Sequence, residues 1–205
     1  SAAGAKAASS HTGALAGSDT AYETAFRRAG VLRATTMTEL FDLASAFTTQ
    51  PIPKGKRVAV ITNSGGPGIV ASDSIELGGL EMAGFSENTL NFLKEAMPSM
   101  ANIQNPIDVI GDAHYDRYET ALNAALADPN VDAATVLLSP TAVIEVDKVA
   151  EVIVEARSKY PDKPVTAAFT GGFAVEKGVN YLRDNGVPTY AFPEPGIHTL
   201  IGMAK

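Results

Sequence analysis

The feature that most constrains the fold is a regular alternation of apolar runs and helical segments that begins at residue 57. Residues 58–62, 133–138 and 165–169 are almost continuously apolar, and shorter runs occur at 80–82, 106–110 and 187–191. Segments with helical periodicity separate these runs, at 67–77, 86–97, 115–127, 147–160, 175–185 and from residue 195 onward. Strands that are apolar on both faces are typical of a parallel sheet covered by helices. We therefore predict that residues 57–205 form one complete α/β domain, a flavodoxin-like, doubly wound parallel sheet with helices on both faces.

The first fifty residues contain too few elements for a sheet of their own. Residues 9–17 are small or polar and predict a flexible loop, and residues 31–33 predict a short strand. Helices are predicted from about residue 18 to 28 and from about 38 to 47. We expect residues 1–50 to be the C-terminal tail of a second α/β domain. Residues 51–56, with two prolines and a glycine, are the predicted linker.

The composition excludes several classes of protein. Hydrophobic residues make up 45% of the chain and charged residues 19%, which is ordinary for a globular protein. The net charge of −7 and the lack of a basic cluster argue against nucleic acid as a partner. No stretch approaches the roughly 18 apolar residues of a membrane-spanning helix. The absence of cysteine excludes disulfides, thiolate zinc sites and cysteine nucleophiles, and it is consistent with a cytoplasmic protein.

The first candidate for chemistry is His11, which lies among small residues with glycines at 13 and 17. Neutral imidazole is a competent nucleophile and forms covalent intermediates in group transfer. Small neighbours would allow another group to approach closely. On composition alone, a polar histidine on a surface loop is the more common explanation. No histidine or carboxylate spacing suggests a metal site.

The second candidate is the glycine-rich turn Asn63, Ser64, Gly65, Gly66, Pro67 and Gly68, between a predicted strand and a predicted helix. Free N–H groups and the positive end of the dipole at a helix start favour a phosphate or carboxylate. The turn lacks a P-loop lysine and does not match the dinucleotide fingerprint G-x-G-x-x-G. The residues alone do not decide between an anion site and a tight turn that needs glycine for steric reasons.

Further candidates follow two other predicted strands. Asn105 and Asp108 lie in a polar cluster around the run 106–110, where Asp108 could orient a ligand or cap a helix. Gly171 and Gly172 follow the run 165–169 and, together with Asn105 and Asp108, could border a substrate pocket. His114 and His198 are expected to be structural or solvent-facing.

Three segments together carry a family resemblance: AASSHTGALAGSD at 7–19, VITNSGGPG at 60–68 and NPIDVIGDA at 105–113. In these motifs the chain resembles the ADP-forming acyl-CoA synthetases, which include ADP-forming acetate–CoA ligase and belong to the succinyl-CoA synthetase superfamily. The resemblance covers essentially the whole chain and corresponds to the C-terminal part of the large subunit.

The resemblance implies a ligase that interconverts acyl-CoA, ADP and phosphate with acid, CoA and ATP through acyl phosphate and phosphohistidine. It maps the phosphorylated histidine onto His11 and the phosphohistidine-holding helix start onto residues 63–68. It implies that residues 1–50 belong to the histidine-bearing domain and 57–205 to the CoA-ligase domain. Magnesium and ATP would bind an ATP-grasp domain or subunit, and CoA a separate CoA-binding domain. No cofactor is expected within this fragment, which should be inactive by itself.

Two other functions remain open at the level of sequence. Similar domains are fused to an acetyltransferase module in regulatory protein acetyltransferases, and a non-catalytic assembly domain is a third option. The intact SSHTG segment at 9–13 argues against a degenerate domain. The sequence does not identify the carboxylic acid, the subunit organisation of the parent protein or a homo-oligomeric state.

Overall fold

The computed structural model describes residues 2–12 and 18–205, which divide into two compact units with the boundary between Met37 and Thr38. In the first unit, α1 spans Ala2–Thr12 and α2 spans Asp19–Ala29. The Ser18 hydroxyl caps α2 by accepting a hydrogen bond from Ala21 N at 3.2 Å. Gly30 ends the helix in the left-handed conformation, with a φ of 67°.

Two expectations for the first unit are wrong. Residues 9–12, predicted as part of a loop, form the last turn of α1. The alanine-rich segment before them has a high helix propensity, which outweighs its lack of apolar periodicity. Residues 31–33 form no strand, because the described part of the first unit offers no strand to pair with. Arg33 instead pairs with Asp19 at 2.6 Å and with Glu23 at 3.2 Å.

The second unit is built on six parallel strands. They are β1 (Arg57–Thr62), β2 (Glu81–Met82), β3 (Ile107–Asp108), β4 (Ala133–Leu138), β5 (Val165–Phe169) and β6 (Thr189–Tyr190). The helices are α3 (Met37–Thr49), α4 (Gly65–Leu77), α5 (Glu87–Ala96), α6 (Tyr115–Ala127), α7 (Val146–Lys159), α8 (Glu176–Asp184) and α9 (Pro193–Met203). A 3₁₀ turn, Gly172–Val175, precedes α8. The doubly wound parallel sheet is therefore confirmed.

The sheet is covered on both faces, as its apolar strands predict. Along β1, Val58 and Val60 pack in one core cluster with residues of α4 and α9, while Ala59 and Ile61 pack in the other with residues of α5, α6, α7 and α8. The alternation follows from the two-residue period of a strand. Strands β1, β4 and β5 are buried along nearly their whole length.

Two short strands share one edge of β1. β2 pairs with the amino end of β1, at Arg57 and Val58, and β3 pairs with its carboxyl end, at Ile61 and Thr62. The order β2/β3, β1, β4, β5, β6 matches the flavodoxin order if β2 and β3 are taken as two pieces of one strand. The next strands in sequence after β1, β2 and β3, lie on one side of it, and the later strands β4, β5 and β6 lie on the other side. The switch point of the sheet is therefore between β1 and β4.

The side chain of Asn105 fills the gap between β2 and β3. Its Oδ1 accepts from Val60 N at 2.9 Å, and its Nδ2 donates to Val58 O at 2.8 Å and to Ala83 O at 3.1 Å. Buried backbone groups need partners, and here the amide replaces a missing strand residue. The peptide bond from Asn105 to Pro106 is cis.

Helix α3 is fixed to the second unit by its C-terminal end. Gln50 is buried, accepts from Val165 N at 2.9 Å and donates to Gly186 O at 2.7 Å. Arg157 donates to Thr49 O and to Asn185 O, so one guanidinium binds the carbonyl ends of α3 and α8. The boundary between the compact units falls between the first and second residues of α3, whereas the predicted linker, residues 51–56, lies after this helix. Among the described residues, no helix is long and apolar enough to cross a membrane.

Candidate phosphate-binding site at the carboxyl edge of the sheet

The predicted glycine turn lies at the carboxyl end of β1, beside β4, at the switch point of the sheet. Ligands of open α/β sheets bind in the crevice outside the carboxyl ends of the strands at such a point. The fold therefore brings the turn to the position where this architecture most often holds a ligand.

The local geometry of the turn leaves two N–H groups free. Thr62 Oγ1 accepts from Ser64 N at 3.1 Å and donates to Ser64 O at 2.8 Å, which holds the residue that precedes α4 in an extended conformation. The side chain of Ser64 makes no capping hydrogen bond. Within the described chain, no hydrogen bond engages the N–H of Gly65 or Gly66. A helix start normally uses such N–H groups for a cap, water or a ligand.

There is also space for an anion at the start of α4. A Cβ built on Gly65 or Gly66 would meet no heavy atom within 4 Å, and both residues are exposed. Pro67 has no N–H, and its ring suits the first turn of a helix. Gly68 is different, because it is buried and its Cβ would lie 3.2 Å from Thr62 Cγ2. Gly68 is needed for packing, whereas Gly65 and Gly66 leave the helix N-terminus open.

Asn63 is placed in the turn, but its side chain is not available to a ligand. It is 4% exposed, its Nδ2 donates to Ser139 O at 2.8 Å, and its Oδ1 accepts from Ser139 N at 2.9 Å. The amide thereby joins the carboxyl ends of β1 and β4. Among the six predicted phosphate-binding residues, Asn63 is the one whose side chain holds the turn in place through these two hydrogen bonds.

Asp108 lies beside the turn at the end of β3. Its Oδ1 accepts from Ile110 N at 2.9 Å, and this local turn holds Ile110 at a φ of 72°. The following loop returns to the glycine turn, since a Cβ on Gly111 would lie 3.9 Å from Asn63 O. Burial first, and then the charge of Asp108, raise the pKa of Tyr118, whose hydroxyl donates to Leu137 O at 3.0 Å. Tyr118 is thus a neutral structural donor beneath the site.

The remaining predicted residues lie apart from the turn. Gly171 and Gly172 follow β5, which is separated from β1 by β4. Both have positive φ, 133° and 54°, and a Cβ on Gly171 would lie 2.6 Å from Pro140 Cγ. They shape the loop that leads into the 3₁₀ turn. The side-chain amide of Asn105 is engaged by backbone groups of β1 and of Ala83.

The histidines have distinct positions. The backbone of His11 lies in the last turn of α1, and its side chain is outside the described part of the structure. His114 precedes α6, and its Nδ1 lies 3.1 Å from Glu145 Oε2 in an exposed contact that sequence reasoning did not predict. His198 is exposed on α9. No group of three or more potential metal ligands is assembled among the described residues.

Comparison with protein-family models assigns both parts of the chain. Residues 58–203 match the Ligase-CoA domain, and residues 1–47 match the succinyl-CoA ligase like flavodoxin domain. ADP-forming acetate–CoA ligase II subunit alpha of Pyrococcus furiosus is 44% identical over 208 residues, which cover 98% of this chain and 45% of that protein. ADP-forming 4-hydroxybutyrate–CoA ligase of Nitrosopumilus maritimus is 37% identical, and the match covers 98% of this chain and 29% of that protein.

Solved structures show the same relationship. The dinucleotide-forming acetyl-coenzyme A synthetase 1 of Candidatus Korarchaeum cryptofilum, in complex with phosphate and ADP, matches with a TM-score of 0.92 and 37% identity. The match covers 99% of this chain and 44% of that one. The chain therefore spans less than half the length of these relatives. Its residues 58–203 form a Ligase-CoA domain, and the chain belongs to the family of ADP-forming acyl-CoA synthetases.

Proposed function

We propose that this chain supplies the phosphoryl-accepting histidine and one anion-holding helix of an ADP-forming acid–CoA ligase. The observation that carries the proposal is the open start of α4, where two N–H groups face solvent at the switch point of the sheet. The similarity to acetate–CoA ligases, and to a structure that contains phosphate and ADP, supports the identity of the anion as phosphoryl.

In the proposed reaction, phosphate displaces CoA from acyl-CoA and forms acyl phosphate. A ring nitrogen of His11 then attacks the phosphorus, the bond to the acyl oxygen breaks, and the acid leaves. ADP finally takes the phosphoryl group from the imidazole and forms ATP. Each step is reversible, and the histidine returns unchanged. Neutral imidazole suits this role because it is a good nucleophile near neutral pH.

The start of α4 is proposed to hold the phosphorylated imidazole. That group carries negative charge, which two free N–H groups and the positive end of a helix dipole stabilise without a full counter-charge. Thr62 and Asn63 act indirectly, since they fix the turn that presents Gly65 and Gly66. Asp108, which lies beside the turn, remains a candidate for lining a substrate pocket. Gly171 and Gly172, farther from the turn, remain candidates for the border of that pocket.

The other substrates are proposed to bind elsewhere in the parent protein. The described residues assemble no carboxylate cluster suited to magnesium, and the sequence has no standard nucleotide motif. The chain spans 44–45% of its alpha-subunit relatives. We propose an ATP-grasp domain or subunit for nucleotide and magnesium and a CoA-binding domain for CoA, with residues 1–50 and 57–205 as separate domains. We propose that residues 1–205 act together with those domains, which would position the nucleotide, magnesium and CoA for the reaction.

Phosphoryl labelling of the full-length protein tests the proposal. With radiolabelled ATP, wild type should acquire an acid-labile, base-stable label, and His11→Ala should acquire none. His114→Ala and His198→Ala are matched controls on the surface of the second unit, and they should label like wild type. A label that persists in His11→Ala, or that disappears in His114→Ala instead, would place the phosphoryl group on another residue.

A further inference from the structure

The loop that follows β3 contains a strained backbone position. Within the described part of the chain, Ile110 is the one residue other than glycine with a positive φ, 72°. L-residues disfavour this left-handed region, and a β-branched side chain makes such a residue an outlier. Strain of this kind persists only where surrounding contacts enforce it, and it occurs mainly at active sites and ligand-binding segments. The conformation of Ile110 therefore points to a functional role for this loop.

The carboxylate of Asp108 holds Ile110 in this conformation. Asp108 Oδ1 accepts from Ile110 N at 2.9 Å, and Ala113 N donates to Ile110 O at 3.0 Å, so both backbone groups of Ile110 are engaged within the loop. Among the described residues, the carboxylate has no ion-pair partner. Its hydrogen bond to Ile110 N is thus the contact that accounts for its position.

The loop packs against the glycine turn. Thr62 and Asp108 are direct neighbours in the register of β1 and β3. After Ile110 the chain returns to the turn, since a Cβ on Gly111 would lie 3.9 Å from Asn63 O. A change in the φ of Ile110 would therefore move Gly111 relative to the turn.

The loop is tied down on both sides of this strained position. Before it, Val109 N donates to Thr62 O at 2.8 Å. After it, Asp112 Oδ1 accepts from Arg117 Nη1 at 2.6 Å, and the same Nη1 donates to Val109 O at 3.2 Å. The two residues between these anchors are held by the carboxylate of Asp108.

The charge of Asp108 does not suit direct contact with a phosphoryl group. An ionised carboxylate only accepts hydrogen bonds, and it repels a neighbouring anion. A carboxylate beside the proposed phosphoryl site thus lowers anion affinity by its charge alone. Its benefit to the site must come from the geometry that it imposes on the loop.

We propose that Asp108 is a positioning residue for phosphoryl transfer, which acts through Ile110 to hold Gly111 against the glycine turn and so fixes the start of α4. The inference rests on the proposed phosphoryl site at Gly65 and Gly66 and deepens it. Without the hydrogen bond from its N–H to the carboxylate, Ile110 would relax to a negative φ. The loop would then no longer support the turn, and small displacements of positioning groups have large effects on binding and rate.

Calorimetric titration of the full-length protein with inorganic phosphate tests this role. Asp108→Ala should weaken phosphate binding about tenfold or more, although it removes a negative charge that repels the anion. Asp108→Asn keeps the oxygen acceptor without the charge, and it should bind phosphate at least as tightly as wild type. Asp116→Ala, which removes an exposed carboxylate from the first turn of α6, is the matched control and should bind no more weakly than wild type.

A second substitution tests whether Asp108 acts through Ile110. Glycine adopts a positive φ without a steric penalty, so Asp108→Ala combined with Ile110→Gly should restore phosphate affinity to within about threefold of wild type. A carboxylate that contacted the ligand directly could not be replaced by a change in the backbone freedom of Ile110.

Three outcomes would overturn the proposal. They are unchanged phosphate affinity in Asp108→Ala, binding in Asp108→Asn as weak as in Asp108→Ala, and no recovery of affinity in the double variant. If Asp108→Ala does not fold, as judged by circular dichroism, weakened binding in Asp108→Asn still contradicts the proposal. Wild type that binds no phosphate would instead remove the proposed site at the start of α4, and this role with it, so the two failures are distinguishable.

Discussion

Asn63 and Ser139 are joined by two hydrogen bonds that tie the carboxyl end of β1 to that of β4. Asn63 Nδ2 donates to Ser139 O at 2.8 Å, and Ser139 N donates to Asn63 Oδ1 at 2.9 Å. The pair spans the switch point of the sheet, directly beside the start of α4. Asn63, predicted as a phosphate-binding residue, therefore fixes the carboxyl ends of β1 and β4 relative to each other through its side chain.

Replacing Asn63 tests this clamp. Asn63→Ala removes both hydrogen bonds and leaves the backbone groups of Ser139 without partners, so the free energy of unfolding should fall by about 1–3 kcal/mol. Urea unfolding followed by circular dichroism measures the change. Asn180→Ala, at an exposed position of α8, is the control and should not destabilise the protein. Equal stability of Asn63→Ala and wild type would show that the two bonds contribute little.

The free N–H of Gly65 can be removed without removing the helix. Gly65→Pro deletes that N–H, and proline suits the first helical position, where the preceding residue, Ser64, is already extended at ψ 124°. Gly65→Ala keeps the N–H and has space for its Cβ. Since a hydrogen bond to a charged group contributes about 1.5–3 kcal/mol, Gly65→Pro should weaken phosphate binding about tenfold or more relative to Gly65→Ala. Equal phosphate affinity of the two variants, measured by calorimetry of the full-length protein, would remove this N–H from the site.

The central strands could be predicted closely from the sequence, whereas the edge strands could not. The runs at 133–138 and 165–169 coincide with β4 and β5, because both faces of these strands are buried. The run 106–110 shortens to Ile107–Asp108 and the run 187–191 to Thr189–Tyr190. An edge strand ends where its neighbour stops pairing, and local sequence does not encode that point. Residues 31–33, predicted as a strand, form none, because the described part of the first unit contains no strand with which they could pair.

The sequence predicted where the glycine turn of the candidate site lies, but it did not predict what each side chain in and around the turn contacts. A glycine-rich turn between an apolar run and a helix is a local pattern, and it placed Gly65 and Gly66 correctly at a helix start. The partners of Asn63 and Asn105 come from strands that are 76 and 45 residues away in sequence. An asparagine in a polar loop is equally suited to a ligand or to a backbone group, so only the fold distinguishes these roles.

The gap-filling role of Asn105 makes a specific prediction about charge. In Asn105→Asp, a carboxylate oxygen would replace the Nδ2 donor and face the carbonyl oxygens of Val58 and Ala83. The variant should lose about 1–3 kcal/mol or more of unfolding free energy at neutral pH, as expected for buried groups without partners. Asn88→Asp, exposed in the first turn of α5, is the control and should be neutral or slightly stabilising. Comparable stability of the two variants would contradict the assignment.

The ion pair between Arg57 and Asp132 should make the fold sensitive to acid. Arg57 Nε and Nη2 each donate to the carboxylate at 2.9 Å, and Arg57 N donates to it at 3.0 Å, while Asp132 is only 8% exposed. The hydrogen bond with Arg57 lowers the pKa of Asp132, and this effect exceeds the opposing effect of burial. Because the pKa is lower in the folded protein, the pair stabilises the fold above the unfolded pKa of about 3.9. That stability is lost as the pH falls through the lowered folded pKa.

Asp132→Asn should therefore unfold more easily than wild type at pH 7, by about 1–3 kcal/mol, since it loses the charge that Arg57 binds. The difference should shrink as the pH falls below about 4, because the carboxyl is then protonated first in the unfolded chain and, at the lowered folded pKa, in the folded protein as well. Urea unfolding at a series of pH values measures it. Asp162→Asn is the matched control, because Asp162 pairs with Lys54 in solvent, where ion pairs are weak, and it should change stability little at any pH. A deficit in Asp132→Asn that stays constant from pH 7 down to pH 3 would show that the lost contribution is packing or hydrogen-bond geometry, and not the charge on Asp132.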